Sequence, residues 1–93
     1  MLKSKAARER VAPGSIVYIC YRDHLIFRNC DPNLFQPAMR ECVGWVMKES
    51  DDAIWVVFDK STKLMPYERT QPKESGLVIL RSDICKLRRL DFC

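Results

Sequence analysis

Apolar residues in this chain gather in short dense runs with polar breaks between them. The densest run stretches from Cys42 to Phe58 and is broken once, by Glu49-Ser-Asp-Asp52. Both of its arms are rich in Val, Ile, Trp and Phe, which suit a pleated, half-buried surface. The break has turn chemistry and is too polar to bury. The pattern therefore predicts a hairpin. Alternation puts Val43, Trp45 and Met47 on one face of the first arm. On the second arm it groups Ile54, Val56 and Phe58, with Trp55 and Val57 opposite. Gly44 inside the first arm predicts a bend, a bulge or a close approach of another backbone. A lone hairpin is marginal in water, so other strands must join it.

The rest of the chain supplies them. Pro13-Gly14 is a turn signal, and Ser15 to Tyr21 follows as a first strand, apolar throughout. Arg22 to Met39 reads as a long loop punctuated by Asp31-Pro-Asn33 and Pro37. Its apolar residues Leu25, Ile26, Phe27, Leu34 and Phe35 are expected to pack over one end of the domain. Loops of this length are often functional. Asp59 to Ser75 is a second polar connection, with Pro66 and Pro72 blocking regular structure. Gly76 to Leu80 reads as a fourth strand, Arg81-Ser-Asp83 as a single 3₁₀ turn, and Ile84 to Leu90 as a short last strand.

Five short strands, a long first loop, a tight central hairpin and a turn before the last strand resemble the SH3-like barrel group. The ending from Gly76 to Ile84 looks like the segment where such barrels pass through a 3₁₀ turn into their final strand. Tyr21-Arg-Asp-His24, Val43-Gly-Trp45 with Glu49 four residues on, and the Gly76–Leu90 ending are also similar to short uncharacterised viral and prokaryotic proteins. The expected fold is all-β: a small five-stranded SH3-like barrel over residues 13–93, preceded by a flexible basic N-terminal arm over 1–12. SH3-like barrels host unrelated functions, so the resemblance implies a fold and no activity.

With 93 residues the chain has room for one domain. Its charged content of 30% and hydrophobic content of 47% are those of a globular protein. No apolar run approaches the ~18 residues of a membrane span. No apolar stretch follows the charged N-terminus, so a secretory signal is not expected and a cytoplasmic location is. The net charge is +4. Most of it comes from Lys3, Lys5, Arg8 and Arg10 against Glu9, which leaves the body nearly neutral. A nearly neutral body argues against a duplex-gripping surface. An odd count of 5 cysteines cannot all pair within the chain, so free thiols are expected.

The candidate chemistry is thin. His24 is the single histidine, with Asp23 beside it and Cys20 four residues before. A nucleophilic site needs thiol and imidazole within hydrogen-bond reach, which this spacing does not ensure, and no enzyme is expected. Cys20, His24, Cys30 and Cys42 are zinc-type ligands without the close pairs of a structural zinc site, so no metal is expected. The glycines are scattered, no phosphate-cradling loop exists, and no cofactor is expected.

The aromatics carry more. Trp45 and Trp55 lie near mirror positions across the turn and could be cross-strand neighbours. The expected function is a small non-catalytic interaction module. It would bind a protein partner, or a second copy of itself, through an aromatic patch, an edge strand or the 22–39 loop. Tyr21, Arg22, Phe35, Trp45, Trp55 and Tyr67 are its candidate contacts. The alternative is a nucleic-acid-binding accessory protein. Lys3, Lys5, Arg8, Arg10, Lys86, Arg88 and Arg89 would then meet phosphates beside aromatic platforms. Strand geometry sends Arg88 and Arg89 to opposite faces.

Overall fold

The computed structural model describes residues 8–62 and 73–90. The strands are β1 (Ile16–Asp23), β2 (Ala38–Glu49), β3 (Ala53–Asp59), β4 (Ser75–Leu80) and β5 (Ile84–Leu90). They form one antiparallel sheet in the order β4-β3-β2-β1-β5. The protein is all-β, as expected. The last strand and the 3₁₀ turn Arg81–Asp83 fall on the anticipated residues. β4 and β5 are the two edges and are not paired with each other, so the sheet stays open. It nonetheless curls. Tyr21 to His24 and Val78 to Leu80 line a common hollow although β1 and β4 lie apart in the strand order.

Entry into β1 is set by a turn. Pro13-Gly14 occupies its centre, Ser15 N–H donates to the Ala12 carbonyl at 3.1 Å, and Gly14 sits at φ +91°. That is the left-handed region where glycine carries no steric cost. Pairing between β1 and β2 runs from Ile16↔Trp45 to Asp23↔Ala38. β2 therefore begins at Ala38, ahead of the expected Cys42, and the loop contracts to residues 24–37. Arg22↔Met39 and Asp23↔Ala38 are held by backbone bonds that polar side chains neither announce nor forbid.

One face of the sheet is the core. Val17, Ile19 and Tyr21 of β1 meet Val46 of β2, Ile54 and Val56 of β3, Ile79 of β4, and Ile84 and Leu87 of β5. Gly44 shows why no side chain stands in this layer at its position: a Cβ there would lie 2.5 Å from the Val57 carbonyl oxygen. The close approach of another backbone is what an interior strand glycine signals.

Val11 belongs to the same core and is 4% exposed. Residues 9–11 thus lie against the body, where the sequence pattern placed a flexible arm over 1–12. Val11 N–H donates to Glu49 Oε2 at 3.1 Å, and Arg10 forms an ion pair with Asp51. That pair is exposed on both sides, so water screens it and it adds little.

Arg81 organises this end of the sheet. It is 2% exposed. Its Nε donates to the Ser50 carbonyl at 2.7 Å, its Nη1 to the Glu9 carbonyl at 2.8 Å and its Nη2 to Glu49 Oε2 at 2.6 Å. Its own backbone N–H donates to the Asp52 carbonyl at 2.8 Å. One guanidinium therefore ties the N-terminal segment, the end of β2, the β2–β3 turn and the 3₁₀ turn together. The planar fork makes this possible, because its donors diverge in fixed directions.

Candidate functional site

Two surfaces stand out, at different places on the sheet. The first is the loop between β1 and β2. Asp31 caps the 3₁₀ turn Pro32–Leu34 by accepting the Asn33 N–H at 2.9 Å, and Pro32 fixes its first position. Asn29 takes a left-handed φ of +54°, a conformation asparagine tolerates. Phe27 and Phe35 stack with ring centroids 5.5 Å apart. The loop is locally built, yet its apolar side chains do not pack over the domain as expected. Ile26 is 83% and Leu34 74% exposed, and Leu25, Phe27, Phe35 and Met39 are exposed as well. The reason is reach: paired strands carry the loop beyond the last core residue of β1, Tyr21, so only the two phenyl rings find each other. A hollow of about 260 Å³ beside them is lined by Asp23, His24, Leu25, Phe27, Phe35, Gln36 and Pro37.

The second surface is the face of the sheet opposite the core. Direct cross-strand pairs share a face, so Ile16, Trp45, Val57 and Leu90 lie together, as do Tyr18, Val43 and Arg88. Trp45 and Trp55 are not direct partners. A bulge between Val46 and Lys48 sets Trp45 opposite Val57 and Trp55 opposite Lys48. Both indoles are half-buried. Lys48 Nζ lies 4.7 Å from the Trp55 ring centroid, and Lys60 Nζ lies 4.8 Å from that of Trp45. Tyr18, Val43, Lys86, Arg88 and Leu90 line a further hollow of about 360 Å³.

Tyr18 donates its hydroxyl to Glu41 Oε2 at 2.8 Å. That bond, with a smaller part from desolvation, holds the phenol above its ordinary pKa. The protonated phenol is the form favoured in the fold. The stabilisation is full below the ordinary phenol pKa and is lost as pH rises through the raised one. Glu41→Gln should bring the titration of Tyr18 back toward the ordinary value. The difference in alkaline tyrosinate absorbance between chains with and without Tyr18→Phe reads it, and an unchanged titration would show that the Glu41 bond is not the cause.

The candidate residues separate on these surfaces. Phe35 and Arg22 are exposed, at the loop and at its base, and Trp45 and Trp55 belong to the outer face. Tyr21 is a core residue, 8% exposed, and only its edge reaches the surface, in the hollow it lines with Val78 to Leu80. Its register partner on β5, Ile84, is a core residue and places it on the inner side. Lys86 and Arg88 are exposed on the outer face, whereas Arg89 pairs with Val17 on the inner one. Arg8 is exposed, and Arg10 is engaged by Asp51. Tyr67, Lys3, Lys5 and Cys93 lie outside the described residues. The residues that sequence reasoning missed are Lys48 and Lys60, whose ammonium groups lie over the rings. The aromatic and basic types were visible, but the bulge that aligns them was not.

Among the described residues, no group of three His, Cys, Asp or Glu side chains could hold a metal ion. Cys20, Cys30, Cys42 and Cys85 are free thiols, and burial pushes the Cys42 thiol up from its ordinary pKa. His24 donates its backbone N–H to Asp23 at 2.9 Å, the local loop bond expected of an Asp beside a turn. No helix among the described residues is long and apolar enough to cross a membrane. No family model, curated protein or solved structure matches this chain.

Proposed function

We propose that this chain is a small non-catalytic interaction module that docks on a protein partner through the 24–37 loop. The observation that carries the reading is the exposure of Leu25, Ile26, Phe27, Leu34, Phe35 and Met39 around one hairpin. Scattered apolar residues on a surface need no explanation, but Leu25, Phe27 and Phe35 line one hollow, and an apolar cluster of that kind points to an interaction. Asp23 and Gln36 line the same hollow, and Arg22, Arg28 and Arg40 are exposed in the same stretch of chain, which supplies the polar groups of an interface rim. The stacked phenyl rings and the capped turn already fix part of the loop, which lowers the ordering cost of docking. The strand order and the 3₁₀ turn before β5 support an SH3-like arrangement of the curled sheet.

A second copy of the chain is the first partner to test. Sedimentation velocity over a concentration series should show either self-association or a monomer. Capture of proteins from the native source then compares wild type with the double variant Ile26→Glu, Leu34→Glu. Both positions are exposed, so the variant should fold normally. The expected result is an association, with self or with a captured protein, that the double variant loses. A wild type that stays monomeric and captures the same proteins as the variant would refute the reading.

A further inference from the structure

We infer that the outer face of the sheet binds single-stranded nucleic acid, with Tyr18, Trp45 and Trp55 as stacking platforms. The register puts these rings on one diagonal. Tyr18 is level with Val43 on β2, Trp45 lies two positions further along β2, and Trp55 on β3 is level with Lys48. Each step moves one strand across and about two residues along, which separates neighbours by about 7–8 Å on a sheet. Each ring has its own cation. Arg88 is directly opposite Tyr18, Lys60 lies over Trp45, and Lys48 lies over Trp55. Lys86 extends the basic side past Arg88. A row of flat rings, each beside a positive charge, is complementary to a chain of flat bases, each beside a phosphate.

A protein ligand would suit this face less well. Burying each ring against apolar side chains would desolvate the neighbouring ammonium or guanidinium without a partner. A polyanion meets both needs at once. The ammonium groups of Lys48 and Lys60 lie over the outward faces of half-buried rings and can move to a phosphate as a base takes their place. Two carboxylates border the face: Glu41, in the row of Cys20 and Lys86, accepts the Tyr18 hydroxyl, and Glu74 lines a hollow with Trp55 beyond the far end of the diagonal. The face is also separate from the 24–37 loop, so this binding does not depend on the protein-docking reading.

The test is fluorescence anisotropy with labelled oligo-dT and oligo-U and a duplex control, at low and moderate salt, with tryptophan emission recorded in the same titrations. Wild type should bind the single strands, lose affinity with salt and show quenched tryptophan emission, because bases stack on the indoles. Lys48→Glu with Lys60→Glu should weaken binding by about tenfold or more through lost phosphate contacts. Both lysines are exposed, so the fold should survive. Ile26→Glu with Leu34→Glu should leave strand binding unchanged. Absence of binding at low salt, binding without tryptophan quenching, or equal affinity for the duplex would each overturn the proposal. So would a Lys48→Glu, Lys60→Glu variant that binds oligonucleotide like wild type. Loss of a captured protein in that variant, with no oligonucleotide bound by wild type, would assign the face to a protein and overturn it too.

Discussion

Arg81→Ala should destabilise the fold by about 3–5 kcal/mol, the cost of breaking a buried pair by removing one partner. The loss has several sources. The Glu9 and Ser50 carbonyls lose their donors, and Glu49, whose side chain is 18% exposed, loses its cation. The carboxylate would then keep only the Val11 N–H among the bonds described. Arg81→Lys should recover only part of the loss, since one ammonium cannot reproduce three diverging donors. Urea unfolding of the three chains reads these differences. An alanine variant within about 0.5 kcal/mol of wild type, the range of an ordinary surface substitution, would show that Arg81 is no brace.

Starting the chain at Pro13 should cost about 3 kcal/mol or more. Removing Val11 gives up about 1.5–3 kcal/mol of apolar burial. Removing the Glu9 carbonyl leaves a buried guanidinium donor without its acceptor, at about 1–3 kcal/mol. The sequence pattern alone gives the opposite expectation, since residues 1–12 have no apolar stripe and a helix of that length is marginal. A melting temperature unchanged by the truncation would restore the view of a dispensable arm. A fall of the size expected places the domain boundary before Glu9.

Why one boundary was legible and the other was not follows from what each rests on. β3 is signalled by a dense β-branched and apolar run, and Pro13-Gly14 names its own turn. Those features are local, and the structure keeps them. Val11 sits alone among charges and looks like tail. Its place is made by residues distant in sequence: the core cluster it joins, and Glu49 and Arg81, which hold the backbone of residues 9–11. Arg81 itself reads as a turn residue because nothing near it reveals that three carbonyl and carboxylate acceptors converge there. The loop is legible in its turn residues, but its exposure is not: apolar content alone does not say whether side chains reach a core. Tyr21 shows the converse. Its neighbours Arg22 and Asp23 suggest a surface, while the period of the strand places it with Val17 and Ile19. The mirror positions of Trp45 and Trp55 predict cross-strand neighbours, and the bulge at Met47 sets them on a diagonal instead.

The two surfaces divide the functional account. The loop 24–37 offers apolar area with a polar rim, and the outer face offers rings beside cations. Together the two proposals make the chain a link between a protein and a single strand.

The loop is the central claim, and photo-crosslinking tests it most directly. A benzophenone side chain would replace Phe27 in one chain and Asp52 in another. Asp52 is exposed in the β2–β3 turn, at the opposite end of β2 from the loop. Irradiation in the native source should give a discrete adduct, with a second copy or with one partner protein, from position 27 and not from position 52. The same adducts from both positions, or none from position 27, would contradict the assignment of the loop as the docking surface.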